Sequence, residues 1–267
     1  MRAAFALILA AGLAAPADAQ ERIPSHCIAL AEGFETIRPV AFGDPLAADA
    51  IRLRYLTHSS LLLETAGGLT AVTDYNGYTG VRDLVPDVVT MNNAHASHWT
   101  PAPDARIPNV LQGWSDDPAG AEHRLDLGEM LVRNVTTDVR SFGGVRPEGN
   151  SIFIFEVAGL CVGHLGHLHQ IPTDEDFAAI GRLDVLMVPV DGGYTLDLAS
   201  MAQVVRRLRS SVVIPMHWFS GASLDMFLAD IGSEFEVVET ASSEIELSLD
   251  RLPARPTIMV LEPALLD

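Results

Sequence analysis

Five histidines in this chain stand in three short segments that each follow an apolar run. His95 and His98 lie in NNAHASH, His164 and His167 lie in CVGHLGH, and His217 follows SVVIPM. A buried imidazole is costly unless it is hydrogen-bonded or bound to something. Neutral imidazole is a preferred ligand of zinc, and a catalytic zinc site keeps one position open for water. Because the ion lowers the pKa of that water to about 7, the pattern predicts metal-assisted hydrolysis.

The spacing of these histidines predicts that they lie on turns. His95 and His98 are three residues apart, as are His164 and His167. Side chains at this spacing lie together on a helical turn or a tight loop but on opposite faces of a strand. We therefore expect each pair to direct its rings toward one centre. A hydrogen bond at a strand end would explain any one of these histidines, whereas five together favour a metal ion.

The segments before the histidines predict strands of a buried sheet, because they are apolar and rich in β-branched residues. These segments are DVVTMNN at 87–93, SIFIFEVAGLCVG at 151–163 and SVVIPMHW at 211–218. The middle segment predicts two strands about Ala158 and Gly159. His95, His164 and His217 then lie just beyond strand ends, where loops on a rigid sheet hold polar side chains at the edge.

The remaining segments predict further strands and two helices. Strands are predicted in 51–73, around the turn residues Gly67 and Gly68, and in 130–137 and 184–190. A helix is predicted at 173–181, which opens on a threonine suited to an N-cap and closes on glycine. Another is predicted at 197–210, which has apolar residues at helical spacing. A meander of strands followed by β-α-β units predicts mixed sheets with helices packed outside them.

The charge of the chain limits its partners. The formal net charge is −18, and no cluster of lysine and arginine offsets it. A nucleic-acid backbone and an anionic membrane surface are therefore excluded as expected partners. We expect a small-molecule substrate, and the sequence indicates no particular oligomeric state.

The first twenty residues, MRAAFALILAAGLAAPADAQ, have the order of a secretory signal: a basic residue, an apolar stretch and small residues. We expect residues 1–19 to be a signal peptide cleaved after Ala19, and residues 20–267 to form a single domain that is periplasmic or secreted. The alternative is that residues 1–19 stay uncleaved and anchor the chain in the membrane. After cleavage, we expect no integral membrane association. Export would permit a disulfide between Cys27 and Cys161, although two separate thiols are equally compatible with the sequence.

Several segments in order resemble the motifs of the metallo-β-lactamase-fold hydrolases. They are RYLTHSSLLLETAGGLTAVTDYN, VVTMNNAHASH, GNSIFIFEVAGLCVGHLGH, AAIGRLDVLMVPVDGGYTLDLASMAQVV and SSVVIPMHW, within 51–220. The chain is most similar to the branch that includes ascorbate-6-phosphate lactonase-like proteins. The resemblance implies an α/β fold, a four-layer αββα sandwich of two mixed β-sheets flanked by helices, which binds one or two zinc, manganese or iron ions.

The resemblance also implies roles for individual residues. His98, His164 and His217 correspond to metal-binding histidines, and His95 belongs to the metal-binding loop; His167 stands where the family has a carboxylate that bridges two ions. Five other residues are expected to support the metal site or to lie near it: His58, Asp74, Asn93, Ser97 and Asp191.

The chain departs from the family pattern at three of these positions. Asn93 replaces the first ligand, Ser97 replaces a metal-binding aspartate, and His167 replaces the bridging carboxylate. Two cations held close together would repel strongly without those negative charges. We therefore expect one divalent ion, zinc by preference and manganese or iron otherwise. Three or four of His95, His98, His164, His167 and His217 would bind the ion, and the others would bind substrate or move protons.

These observations predict an exported metal-dependent hydrolase that uses metal-activated water on a small ester, lactone, amide or phosphodiester. Because two carboxylates are replaced, the alternative is a non-catalytic metal- or ligand-binding protein on the same scaffold. A third hypothesis is a redox or oxygen-handling iron site, since histidine-rich sites without carboxylates also hold iron.

Overall fold

The computed structural model describes Cys27 and residues 44–117, 120–141 and 143–264. The signal peptide predicted at 1–19 lies outside these residues. No helix within them is long and apolar enough to span a membrane. The strands are β1 Ala50–Thr57, β2 Ser60–Thr65, β3 Thr70–Val72, β4 Val88–Met91, β5 Asn109–Gln112, β6 Arg124–Asp126, β7 Met130–Ser141, β8 Gly144–Val157, β9 Leu160–His164, β10 Val185–Pro189, β11 Val212–Met216, β12 Glu236–Glu239, β13 Glu244–Ser248 and β14 Thr257–Val260, and the α-helices are α1 Asp174–Ile180, α2 Leu198–Leu208 and α3 Gly221–Ile231.

The strands form two mixed sheets, as predicted. The six-stranded sheet has the order β13-β1-β2-β3-β4-β5, and the eight-stranded sheet has the order β12-β14-β11-β10-β9-β8-β7-β6. Hairpins make β1 and β2 antiparallel, whereas β3, β4 and β5 run parallel. In the second sheet β9, β10 and β11 are also parallel. The carboxyl ends of parallel strands lie at one edge of a sheet, which brings the loops after β4, β9 and β11 to the site described below.

Apolar side chains from both sheets meet in the largest core cluster. Leu53 and Leu63 of the first sheet pack in it with Phe153 and Met187 of the second. Burying each side chain of this size contributes about 1.5–3 kcal/mol. This core fixes the two sheets against one another and therefore fixes the distance between loops that belong to different sheets.

Helices cover the outer face of the eight-stranded sheet. A second core cluster joins Ile154 and Leu186 of that sheet to Val205 of α2 and Phe227 of α3. In the described parts of the chain, loop residues cover the other sheet, where Ile107 and Trp114 pack on Val72. The two mixed sheets and their helices thus agree with the predicted α/β sandwich, but in the described residues all three α-helices pack on one sheet, so loops take the place of the fourth, helical layer.

Local signals in the sequence place most element ends correctly. Thr173 caps α1 in a capping box with Asp176, and Gly181 ends that helix with φ at 73°. Ala158 and Gly159 form the predicted turn between β8 and β9. Beyond the strands predicted at 130–137 and from 151, the pairing of β7 with β8 continues as far as Ser141 and Gly144. The exposed, polar end of that hairpin has the composition of a loop, so its pairing was not visible in the sequence.

Cys27 and Cys161 form a disulfide, which decides the question that the sequence left open. Their Cα atoms are 5.7 Å apart, and both residues are fully buried. Cys161 lies in β9, and the main-chain N–H of Arg182 donates to the carbonyl oxygen of Cys27 at 2.8 Å. The bridge thus attaches a residue near the amino terminus to the eight-stranded sheet.

Candidate metal centre

Four loops bring histidines to one edge of the sandwich. His58 lies in the β1–β2 turn with φ at 50°, and His217 follows β11 with φ at 58°. The main-chain N–H of His217 donates to the carbonyl oxygen of His58 at 2.7 Å, which joins the two sheets directly. After β4, the N–H of His98 donates to the oxygen of His95 at 2.7 Å, so the predicted tight turn is present there.

His58, His98 and His217 form the most buried group with metal-ligand geometry. One ring nitrogen from each lies within 4.8 Å of the other two. The Nε2 atoms of His98 and His217 are 3.1 Å apart. His98 is fully buried and His217 is nearly so. Its position in this group makes His58, which we expected only to support the site, a candidate ligand.

Carboxylates contact the far nitrogens of two members of this group. Asp74 Oδ2 lies 2.5 Å from His98 Nδ1, and both side chains are fully buried. Asp191 Oδ2 lies 2.9 Å from His217 Nδ1, at ion-pair distance but without hydrogen-bond alignment. Carboxylates at these positions orient a metal-binding imidazole and direct its other nitrogen toward the ion.

The donor atoms of His58, His98 and His217 fit a divalent cation. Two imidazole nitrogens bound to one tetrahedral zinc ion lie roughly 3.3 Å apart, close to the observed separation of His98 and His217. If the protons of His98 and His217 lie on Nδ1, next to the carboxylates of Asp74 and Asp191, the facing Nε2 atoms carry lone pairs, and a cation between them would remove their repulsion. His58 Nε2 is buried and has no hydrogen-bond partner among the described residues. An ion would satisfy this nitrogen.

A second group of ring nitrogens within 4.8 Å of one another comprises His95, His98 and His167. His95 is exposed, and its Nδ1 lies 2.8 Å from Ser97 Oγ. His167 Nδ1 lies 2.5 Å from His169 Nε2. Contacts at Nδ1 leave the Nε2 atom of His95 and of His167 as the one available to a partner.

Three imidazoles of this cluster, those of His58, His98 and His167, are uncharged near neutral pH. Burial, followed by repulsion from neighbouring imidazoles, lowers the pKa of His58 to about 3 and that of His167 to about 2. Burial also lowers the pKa of His98 well below its ordinary value. Because these three rings are neutral, they need no deprotonation step at pH 7 before they bind a metal or a substrate.

His164 lies in neither group, which corrects its expected role as a ligand. Its cross-strand partners are Phe153 and Met187, both of which point between the sheets. Its Nε2 donates to Ser59 O at 2.8 Å, and its Nδ1 accepts from Asn92 Nδ2 at 3.1 Å. Both ring nitrogens of His164 are therefore hydrogen-bonded to protein atoms. His164 lies between the sheets and supports the loops that carry Ser59 and Asn92.

Gly166 separates the two histidines that the sequence paired. Its φ is 60°, and an added Cβ would lie 2.4 Å from Asn92 Nδ2 and 2.7 Å from Asn150 Oδ1. The chain turns sharply here, so that His164 points into the core and His167 points into the pocket.

The other expected support residues hold the loops in place. Asn93 pairs with Asn150 in an isolated β-bridge, and Ser97 contacts the ring of His95. Asp191 accepts from the backbone N–H groups of Gly193, Tyr194 and Thr195. Although burial opposes it, the His217 contact and these donors lower the pKa of the Asp191 carboxyl below its usual value. Asp191 is therefore an anion that orients His217.

A pocket of about 1000 Å³ opens over the histidines. The end of the β7–β8 hairpin contributes Arg140 and Arg146 to its wall. Tyr194 and Phe219 also line the pocket and are exposed, with ring centroids 5.6 Å apart. The volume is at the upper end of the range for small-molecule sites. The sequence predicted neither the end of this hairpin nor the position of these rings, since no local pattern indicates that they face the histidines.

Comparison with known proteins identifies the family. The Beta-lactamase superfamily domain matches residues 52–217, which include every loop of the histidine cluster. The chain belongs to this superfamily. The metallo-β-lactamase resemblance inferred from the motifs is thereby confirmed, whereas its narrower likeness to the lactonase-like branch stays a prediction.

Relatives of this superfamily member include a UPF0173 metal-dependent hydrolase from Methanosphaerula palustris, 25% identical over 187 residues, which are 63% of this chain and 84% of the relative. A crystal structure from Thermotoga maritima, of a proposed Zn-dependent hydrolase of the metallo-β-lactamase superfamily, is 27% identical with a TM-score of 0.56. The alignment covers 79% of this chain and 98% of that one. A metallo hydrolase from Ignicoccus hospitalis, 18% identical with a TM-score of 0.53, shares the fold over 69% of this chain and 91% of its own.

In this superfamily member, we expect Asp74→Asn to weaken metal binding by about 10–100-fold, the usual cost of losing a carboxylate behind a histidine ligand. Burial raises the pKa of Asp74, whereas the adjacent His164 and the N–H of Asn92 oppose that shift. The amide keeps the size of the side chain and removes its charge. Titration with zinc in a chelator-buffered solution measures the change, and an unaltered Kd would contradict the role assigned to Asp74.

Proposed function

We propose that this chain is an exported metal-dependent hydrolase in which His58, His98 and His217 hold one divalent ion, with zinc as the proposed metal. The observation that carries the proposal is the pair of Nε2 atoms of His98 and His217 that face one another at 3.1 Å, each ring backed by a buried carboxylate. Relatives named as metal-dependent hydrolases support it.

The bound ion would act as a Lewis acid and would lower the pKa of a bound water. Both effects favour hydrolysis at neutral pH. Asp74 and Asp191 orient the two imidazoles that their oxygens contact. Asp191 already accepts several hydrogen bonds, so it is poorly suited to take up a proton. His95 is exposed at the pocket wall with Nε2 available, and we assign it the role of proton acceptor for the attacking water.

The pocket supports a small organic substrate with a hydrolysable bond: an ester, lactone, amide or phosphodiester. Phe219 lies 5.1 Å from the rings of both His58 and His217, so an apolar surface reaches the proposed metal. Arg146 also lines the pocket and offers a positive charge. A substrate that combines an apolar body with an acidic group would contact both Phe219 and Arg146.

Export is part of the proposal, and the buried disulfide supports it. Disulfides persist in oxidising compartments such as the bacterial periplasm and are rare in the cytosol. Localisation of the full chain, with and without residues 1–19, tests this part, and retention of the processed chain inside the cell would contradict it.

Metal removal tests the central proposal. Purified full chain should contain about one divalent ion per molecule by elemental analysis. At a free metal concentration 100 times the Kd, the ion adds about 2.7 kcal/mol to the free energy of unfolding, so chelation should lower the melting temperature by several degrees. Separate reloading with zinc, manganese and iron(II) identifies the ion that restores it.

A substrate panel then separates the competing hypotheses. Hydrolysis of at least one ester, lactone, amide or phosphodiester that stops on chelation and returns on reloading supports the hydrolase. Metal binding without turnover of any substrate favours the binding protein on the same scaffold. A coloured, iron-loaded preparation favours the redox site, and a chain that binds none of the three metals overturns the proposal.

A further inference from the structure

Two hydrogen bonds fix the proton positions of His169, which lies behind His167. The main-chain N–H of Arg140 donates to His169 Nδ1 at 3.2 Å, and the guanidinium Nε of the same residue does so at 3.4 Å. A further bond from Arg140 Nη2 to Thr195 O holds the guanidinium in place. Because Nδ1 is an acceptor and a neutral imidazole carries one N–H, the proton of His169 is on Nε2.

The proton of His167 follows from that of His169. His169 Nε2 lies 2.5 Å from His167 Nδ1. The Nε2–H of His169 therefore donates to Nδ1 of His167, which leaves the proton of a neutral His167 on Nε2. Burial supports neutrality, since it lowers the pKa of His169 to about 4. The backbone of His167 is itself held by a bond from its N–H to Asn150 Oδ1 at 2.8 Å.

This arrangement is opposite to that of His98. Next to Asp74, the proton of His98 lies on Nδ1, and the Nε2 lone pair is free for a metal. His167 has no carboxylate at Nδ1; it has an N–H donor there, so its Nε2 carries hydrogen and has no lone pair to offer. Two histidines that the sequence presents as equivalent ligands thus have different chemistry.

We propose that His167 binds the substrate through its Nε2–H and does not bind the metal, and that Arg140 and His169 are positioning residues that hold it in this tautomer. The inference rests on the proposed function. His167 faces the pocket, and its ring centroid lies 4.6 Å from that of His98 and 5.4 Å from that of His217. An N–H donor there would face the oxygen that becomes negative as water attacks the scissile bond of a substrate bound in the pocket.

Such a donor stabilises the transition state in the manner of an oxyanion hole. The hydrogen stays on His167 throughout, so no proton or electron transfer is required of it. His98 would offer its Nε2 lone pair to the ion, which would supply Lewis acidity, whereas His167 would offer its Nε2–H to the substrate oxygen.

The substitutions His167→Gln and His167→Glu distinguish a donor from a ligand, because both reach the position of His167 Nε2, are nearly identical in shape and are opposite in hydrogen-bonding capacity. The amide donates an N–H and is a poor zinc ligand, whereas the carboxylate binds zinc and donates nothing at pH 7. We expect the glutamine variant to keep the wild-type zinc Kd and to lose much less activity than the glutamate variant. We expect the glutamate variant to bind zinc at least as tightly and to lose about 10²–10³-fold in kcat.

The opposite pattern, with zinc lost from His167→Gln and activity kept in His167→Glu, overturns the proposal. Nitrogen-15 NMR of the metal-free full chain gives a second readout that needs no substrate. We expect Nε2–H tautomers at His167 and His169 and an Nδ1–H tautomer at His98; an Nδ1–H signal from His167 overturns the proposal. In His169→Phe, His167 should lose its fixed tautomer, an effect that a purely structural residue would not produce.

These outcomes separate the inference from the proposed function. A wild-type chain that binds no zinc refutes the metal site, yet the tautomer of His167 is still measured. A zinc-loaded hydrolase with an Nδ1–H tautomer at His167 refutes the inference and leaves the proposed function intact.

Discussion

His98→Gln is expected to remove the metal ion and to lower kcat/KM by about 10³-fold or more. His98 belongs to both groups of ring nitrogens, is fully buried, and is the residue that Asp74 orients. A metal acting as a Lewis acid contributes several kcal/mol to the transition state, and each 1.36 kcal/mol corresponds to tenfold in rate. Elemental analysis of the purified variant and its kinetics on the substrate found in the panel measure both effects.

His164→Gln is the matched comparison, because His164 is equally buried but has both nitrogens in hydrogen bonds to the protein. This variant should keep the ion and lose about 1–3 kcal/mol of stability, the cost of unsatisfied buried groups such as Ser59 O. His123→Gln, which removes a histidine whose ring contacts Gln112 O outside the pocket, controls for the loss of any imidazole. Wild-type metal content in His98→Gln would refute the assigned centre.

Replacing Cys27 and Cys161 together with alanine is expected to lower the free energy of unfolding by about 3–5 kcal/mol. The disulfide closes a loop between residues 134 positions apart, and its loss restores conformational freedom to the unfolded chain. For a chain of this size the melting temperature should fall by on the order of 10 °C. Thermal and urea unfolding followed by circular dichroism measure the change.

Reduction of the wild-type chain offers an independent check on that result. Reductant should lower the melting temperature of the wild type and leave that of the double alanine variant unchanged. Thiol labelling of the unfolded, unreduced chain should detect no free cysteine. Equal melting temperatures for the oxidised wild type and the variant would show that the bridge adds no stability.

The fold could be predicted because its signals are local. The Thr173 cap, the Ala158-Gly159 turn and the β-branched runs before the histidines each depend on a few neighbouring residues. The resemblance then supplied the arrangement of the two sheets, which no local signal contains. The far end of the β7–β8 hairpin was missed because its residues are mostly exposed and its composition is that of a loop.

The structure brings the predicted histidines to one edge of the sandwich, but it places two of them differently from the expectation. His58 lies in a group with metal-ligand geometry and His164 lies in none, because the direction of a side chain depends on backbone geometry that residue type does not reveal. A left-handed conformation at His58 turns its ring toward His217. Strand alternation in β9 turns His164 toward the interior, and Gly166 reverses the chain before His167. The tautomers of His98 and His167 depend on distant partners, Asp74 and His169.

The bond from His217 N–H to His58 O joins the edge of one sheet to the edge of the other, and the proposed ligands come from both sheets. Neither sheet alone contains a complete set of donors. An ion held there would therefore cross-link the two sheets of the sandwich. The number of metal ions per molecule in a preparation would then indicate the fraction of molecules in which the two sheets are packed as in this structure.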